Sequence, residues 1–386
     1  MQSHSEQSKS APTVTFLYAY VHKRRDATAS AIRQLAESLT SHGFNVKLDG
    51  IDATSLRESP ISRALQQIRF LGRSAWICMK ASRRPGVIVT VDVPTGLGLV
   101  GALCRTASGG RTRHINLVMD LYQFQPGPKA GVLGRIRRLI DTISFRLSDE
   151  IVTIGDCMSE LLRSTAGRRS GVIHVWQDER LLYPTTRSKY REKLGVDEDA
   201  LLLLYSGHAG RFHPLESLVD VVADLPPGSR VRFLISGYGT EIERLRTRVN
   251  IDGKLASRIL FSEPVEEDQV AAFLSAGDVH VVSLDPIYTG TCIPSKTYAA
   301  MAVSRPCLFL GDRRSQAAKD VLTADAGVVV SHDDVLGLAR AVEDFAANPV
   351  LRSKQGRNGY EFFVARRSRI SQAAKWAFLL QKGARN

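Results

Sequence analysis

Residues 231–245 read VRFLISGYGTEIERL. An apolar, β-branched run meets two glycines, Gly237 and Gly239, and the chain then takes up helical spacing. This strand–turn–helix step predicts a parallel sheet, because parallel neighbours need a crossover of helix length. The step recurs on both sides. LLLLYSGHAGRFH (201–213) runs a buried strand into Gly207, Gly210 and Arg211, and PLESLVDVVADL (214–225) follows with helical spacing. RILFSEPV (258–265), VHVVSLD (279–285), PCLFLGD (306–312) and AGVVVS (326–331) continue the series. An earlier series opens with TVTFLYAY (13–20), the helix-like ASAIRQLAESLTSHG (29–43) and FNVKLDG (44–50), with Gly43 as the expected C-cap. GVIVTVDV (86–93), HINLVMDL (114–121) and EIVTIGD (150–156) extend it. Between the series, DERLLYPTTRSKYREKLGVDED (178–199) is polar and reads as a linker region.

The expected fold is therefore α/β, with two Rossmann-like, doubly wound domains facing across a cleft. Ligands are expected at the carboxyl ends of the strands. The first domain is placed at 13–185 and the second at 186–364. Residues 1–12 are expected to be disordered, and a C-terminal helix over 365–386 to pack back on the first domain.

At 386 residues the chain is long enough for two domains. No run of 18 apolar residues spans a bilayer; GVIVTVDVPTGLGLVGALC (86–104) is cut by Asp92, Pro94 and glycines. The N-terminus lacks a basic-then-apolar signal, so a cytoplasmic protein is expected. The five cysteines are scattered, with no Cys-x-x-Cys pair, which argues against a disulfide framework or zinc cluster. The net charge of +13 is uneven. Residues 1–185 hold 25 Lys and Arg against 15 Asp and Glu, whereas 186–386 hold 27 against 24. A basic first half favours nucleic acid, anionic lipid or phosphorylated ligands.

Three segments could carry chemistry. Gly207 and Gly210 would let backbone approach a ligand closely, with Arg211 as a charged fork for phosphate; a strand-end turn with a solvated arginine is the other reading. Gly237 and Gly239 form a phosphate-compatible turn or an ordinary tight one, since Ile242 stands where a third glycine would complete the dinucleotide fingerprint. In TGTCIPSKTYAAMA (289–302), Pro294 can pre-set a turn, Ser295 can cap, and Thr297 to Met301 can begin a helix whose positive end suits a diphosphate beside Lys296. The alternative there is a capped helix with a surface lysine. The Asp-x-Asp at 197–199 lies in the charged linker and reads as a solvated loop, not a metal site.

LYSGHAGRFH, FLISGYGTEIERL, EEDQVAAFLSAGDVHVVSL and IPSKTYAAMAVSRPCLFLG together resemble the donor half of the family 4 glycosyltransferases of the GT-B fold. The branch they look most similar to serves exopolysaccharide and lipid-linked sugar assembly. VDVPTGLGLVGAL, HINLVMDLYQ, SDEIVTIGDCMSELL and VIHVWQDE agree more loosely, and the likeness spans nearly the whole chain after residue 12. The resemblance implies transfer of a sugar from a nucleotide diphosphate sugar to a glycan, lipid-linked or other hydroxyl acceptor, with retention of configuration. It implies no cofactor and no metal, with Arg211 and Lys296 stabilising the departing diphosphate in a metal's stead. Gly207, Gly210, Gly237, Pro294, Ser295 and Thr297 would meet phosphate or backbone, and Glu263 and Val265 would lie beside the base. Asp120 matches a polar position pointing into the cleft. His22, Lys23, Arg24 and Arg25 would face the acceptor in place of a glycine-rich loop.

The family's Glu-x7-Glu is absent: its positions fall at Thr291 and Ala299. Ribose binding must then use other groups, or the chain is a transferase-like partner subunit without activity. An epimerase of similar architecture is a further alternative, without paired catalytic carboxylates or histidines to support it. Basic amphipathic helices expected near 61–84 and 134–147, with Arg63, Arg69, Arg73, Arg83, Arg84, Arg135, Arg137 and Arg138, suit an anionic membrane surface at the inner face of the plasma membrane; core helices with a charged outer face are the other reading. No recognition motif points to nucleic acid.

Overall fold

The computed structural model describes residues 12–22, 27–50, 60–83, 85–91, 93–125, 131–186 and 188–382, with the side chains of 60, 61, 63, 64, 188 and 189 excepted. The first half alternates β1 (Thr13–Leu17), α1 (Ala27–Ser41), β2 (Asn45–Asp49), α2 (Pro60–Ala81), β3 (Gly86–Val91), α3 (Leu97–Ala107), β4 (Thr112–Val118), α4 (Val132–Leu147), β5 (Glu150–Thr153), α5 (Asp156–Ala166) and β6 (Gly171–Val172). Its strands form one parallel sheet in the order β2-β1-β3-β4-β5-β6. The second half runs α6 (Ser188–Lys193), β7 (Leu201–Ser206), α7 (Glu216–Asp224), β8 (Val231–Ser236), α8 (Thr240–Ile251), α9 (Gly253–Ala256), β9 (Ile259–Ser262), α10 (Val270–Ala276), β10 (Val279–Ser283), α11 (Lys296–Ala302), β11 (Cys307–Leu310), α12 (Gln316–Thr323), β12 (Gly327–Val330), α13 (Val335–Ala347), α14 (Pro349–Arg366) and α15 (Arg369–Lys382). Its sheet is also parallel, in the order β12-β11-β10-β7-β8-β9.

The central strands read as unbroken apolar runs because helices cover both faces of each sheet. Leu201 to Tyr205 of β7 are all buried. β2 lies at an edge, and there Asn45 and Lys47 are exposed. Gly43 follows α1 at φ +84, a left-handed turn that a side chain would strain. Every strand expected from the sequence is present. β6 is additional: a two-residue strand too short to show a period, formed where Val172 pairs with Thr153 of β5.

Two expectations change. The 178–199 segment is not a solvated linker throughout. It contains α6, and the fully buried Arg191 guanidinium donates to Asp278 Oδ2 at 2.9 Å and to the carbonyls of Asp197 (2.5 Å) and Ala200 (2.6 Å). The Asp-x-Asp stretch thus supplies backbone acceptors to an arginine. The C-terminal helix is two helices, broken at Arg367–Ser368, where Gln177 N donates to the Arg367 carbonyl (3.1 Å) and Arg369 N donates to the Gln177 carbonyl (2.9 Å). Beyond the break, α15 lies on the first half, with Trp376 edge-on to Phe16 of β1 at 6.1 Å. One apolar core runs through both halves, joining Val14 and Phe16 to Ile154, Ile293 and Met301.

Candidate functional site

In each sheet the strand order reverses beside the first strand of its half, between β1 and β3 and between β7 and β10. A crevice opens at such points because the connections leave toward opposite faces. The loops after β7 and β10 meet there: Asp285 N donates to the Phe212 carbonyl at 2.9 Å.

The glycines around this crevice are set by close backbone approach. At Gly237 (φ +139) a Cβ would stand 2.1 Å from the Gly207 carbonyl oxygen, so the two strand-end loops touch only because residue 237 has no side chain. A Cβ on Gly207 would fall 2.9 Å from Lys296 Cε. Residue 207 therefore clears the path of the lysine. Ile242 is fully buried and seats α8 on the sheet. Gly237 thus lets the turn after β8 pack on the loop after β7.

Lys296 is half-buried. Its Nζ donates to the His208 carbonyl at 3.1 Å and lies 5.2 Å from the centre of the Tyr205 ring. Desolvation pulls its pKa down to about 8. His213 is pushed down to about 3, first by burial and then by Lys296 and His208, and His208 is lowered for the same two reasons, burial and Lys296. These shifts mark a pocket of crowded basic groups. Arg211 is exposed, and its guanidinium lies 5.2 Å from the Phe212 ring. That ring stacks on Tyr122 of the first half (5.1 Å between centres, 11° between planes) and meets Tyr288 edge-on at 4.2 Å.

The expected helix start differs in detail. α11 has seven residues and begins at Lys296, and Ser295 makes no side-chain cap. So short a helix carries a small dipole, and the positive field comes from the full charges. Pro294 is buried. Thr297 is fully buried with its hydroxyl unpartnered, so it does not offer that hydroxyl to a phosphate in solvent. The Ser295 carbonyl accepts from Gln177 Nε2 at 3.1 Å.

A cavity of about 710 Å³ lies between the halves. Thr28, Ser30 and Gln34 along the first half of α1, with Asp120 and Gln177, form its polar wall on the first half of the chain. Tyr238, Val265, Glu266, Glu267 and Ser295 close it from the second. Arg211 and Lys296 are not lining residues; they adjoin it through Ser295 and through the Tyr238–His208 ring pair, 5.3 Å apart. Glu263, expected beside the base, lies outside the cavity lining. Its carboxylate is 80% exposed, 3.5 Å from Arg246, and the carboxylates lining this loop are Glu266 and Glu267. They were missed because nothing in VEEDQ separates a carboxylate facing a cleft from one facing solvent. His22 is exposed and outside the lining, and Lys23, Arg24 and Arg25 lie outside the described residues.

Of the two missing-carboxylate positions, 291 is closed and 299 is half-buried. Thr291 is 0% exposed, its hydroxyl donating to the Tyr288 carbonyl at 2.8 Å, and Ala299 packs against the core. The Thr291 carbonyl accepts from Leu121 N at 2.7 Å, so the end of β4 is tied to this turn. Asp120, next to Leu121, raises the Cys292 thiol to about 12 together with burial, the larger cause. The carboxylate beside residues 291 and 292 therefore comes from the first half.

The sequence model of the family described as Glycosyl transferases group 1 matches residues 202–348. This stretch is similar to the group 1 glycosyl transferases. It carries β7 to β12, with Gly207, Arg211 and Lys296 inside it. The chain is 23% identical over 295 residues to the probable glycosyltransferase WbjE of Pseudomonas aeruginosa, covering 74% of this chain and 72% of that protein. It is 28% identical over 253 residues to the D-inositol 3-phosphate glycosyltransferase of Streptomyces avermitilis, covering 60% of this chain and half of that protein. Beyond the matched stretch, the whole fold superposes on sucrose-phosphate synthase from Thermosynechococcus elongatus (TM-score 0.78, 19% identity, 97% and 99% of the two chains). It also superposes on Anabaena HepE in complex with UDP-glucose (TM-score 0.72, 15% identity, 96% and 99%). These likenesses establish the GT-B arrangement of the two sheets.

Proposed function

We propose that the protein transfers a glycosyl group from a nucleoside diphosphate sugar to a hydroxyl acceptor, with retention of configuration and without a metal ion. The observation that carries this reading is the crowding of Lys296, His208 and His213 at the β7–β10 crevice of a group 1 domain, where Gly207 clears the path of the lysine. A diphosphate is the ligand such a site suits. As the anomeric C–O bond breaks, charge grows on the leaving diphosphate oxygen, and the Lys296 ammonium and the Arg211 guanidinium stabilise it. The acceptor hydroxyl enters on the same face and gives its proton to the departing phosphate oxygen. Asp120 holds a sugar hydroxyl from the opposite wall. Glu266 and Glu267 take the ribose hydroxyls in place of the absent carboxylate at Ala299.

Incubation with UDP, GDP, ADP and dTDP sugars, an acceptor panel and anomer analysis of the product tests the reading. One donor is expected to turn over to a product of unchanged anomeric configuration, and Glu266→Ala or Glu267→Ala to raise its KM. Inversion would remove the stereochemical part. Tight nucleotide binding with neither transfer nor donor hydrolysis would instead make the chain a donor-binding subunit, the reading favoured by the closed position 291.

Binding should also depend on pH. The free Lys296 pKa is about 8, and a bound diphosphate favours the charged form and raises it. Affinity is therefore greatest below about 8 and falls by up to about tenfold per pH unit above it, until the raised pKa of the complex is reached. Calorimetry with a nucleoside diphosphate on both sides of that pH checks this. Lys296→Arg, charged throughout, is expected to show no such slope.

A further inference from the structure

We propose that the outer face formed by α2, α3 and α4 docks on an anionic lipid bilayer. Among the described residues, eleven of the twenty-three exposed large hydrophobic side chains lie on these three helices. On α2, Leu65, Ile68, Trp76 and Met79 are exposed, with Gly72 between them. Their spacings of three, four, four and three residues keep them on one side of the helix, while Phe70, Ser74 and Cys78 on the other side are buried. α4 repeats the arrangement. Val132, Ile136, Leu139, Ile143 and Leu147 form an exposed stripe, and Asp141, Ser144 and Phe145 face inward. α3 packs against both helices and adds Leu103 to the gap. Each stripe is roughly 20 Å long at 1.5 Å per residue. An amphipathic helix has one apolar side to bury in its own core; α2 and α4 each have a second one facing out. A patch of this extent marks a binding surface.

Charge selects the occupant. The three helices contain a single carboxylate, Asp141, and it is buried, accepting from Gln123 Nε2 at 2.6 Å. Arg69, Lys80, Arg135, Arg137, Arg138 and Arg146 are exposed. Among the described residues Arg69, Arg135 and Arg146 make no ion pair, whereas Arg73 and Arg105 pair with Asp49 and Asp149. A second copy would set this cationic rim against itself. Lipid phosphates neutralise it while acyl chains cover the stripes. The surface is separate from the cavity, and the inference stands whether or not the sugar-transfer reading holds.

Tryptophan reports the contact directly. Trp76 is 58% exposed, whereas Trp176 (5%) and Trp376 (0%) are already buried. Adding mixed phosphatidylglycerol–phosphatidylethanolamine vesicles should shift the emission to the blue, and pure phosphatidylcholine vesicles should bind at least about tenfold more weakly. Ile136→Glu with Leu139→Glu should remove co-sedimentation with the anionic vesicles. Arg135→Glu and Arg146→Glu should each weaken it about fivefold or more, and added salt should weaken the wild type. Circular dichroism and nucleotide affinity unchanged in the variants show that the fold is kept. The proposal is overturned by absence of vesicle binding, by binding that these substitutions leave unchanged, or by a dimer that the Ile136→Glu/Leu139→Glu variant dissociates.

Discussion

Lys296→Ala is expected to lower kcat by about 100- to 1,000-fold, the range found when one preorganised donor to a developing oxyanion is removed. Nucleoside diphosphate affinity should fall with it. The reason lies in how the cation is held. Its Nζ has a carbonyl, that of His208, as hydrogen-bond partner, and the space for it exists because residue 207 lacks a side chain. A charge kept this way has a depressed pKa and gains when an anion arrives, which is the preorganisation that electrostatic catalysis needs. Arg211→Ala should be of similar size, and Arg211→Lys should recover little, because a point charge cannot reproduce the guanidinium fork or its stacking on Phe212. The measurement is calorimetry of the diphosphate with kcat and KM of the accepted donor. Wild-type affinity and turnover in both alanine variants would remove these residues from the site.

The largest effect on stability is expected at Arg191. Arg191→Ala should destabilise the second half by about 3–5 kcal/mol, because it removes the buried guanidinium that pairs with the buried Asp278 carboxylate. The carbonyls of Asp197 and Ala200 lose their donor in the same step. Asp278 also accepts from Leu202 N at 2.9 Å, so the loss reaches the start of β7, the strand that delivers Gly207 and Arg211. Urea unfolding compared with the wild type measures it. The double change Arg191→Met with Asp278→Leu should recover part of the loss, since it removes both charges together. A loss below about 1 kcal/mol in the single variant, the size of an exposed ion pair, would show that the pair is solvated in solution.

Both residues illustrate what could be read in advance. VRFLISGYGTEIERL and its repeats carry the strand–helix period in local composition, so the two parallel sheets were legible. The place of Lys296 and Arg211 in the loops after strand ends was legible, because glycine and proline gather there. Arg191 was not. In SKYREKLG it has the surroundings of a solvent residue, and only the distant Asp278 and the turn of carbonyls at 197–200 make it a core group. Glu263 and Glu267 are equally acidic on paper, and the path of the loop after β9 decides which one lines the cavity.

The sequence by itself determined the alternation of strands and helices, the basic first half and the cationic strand ends, because each depends on residues close together along the chain. Tertiary structure alone decided that Thr291 and Thr297 are buried, that Asp120 supplies the carboxylate beside the 291–292 turn, and that Tyr122 stacks on Phe212. Each of these joins or encloses residues from segments far apart in the chain. Burial and charge pairing depend on what packs against a residue, and a local period carries no record of that neighbour.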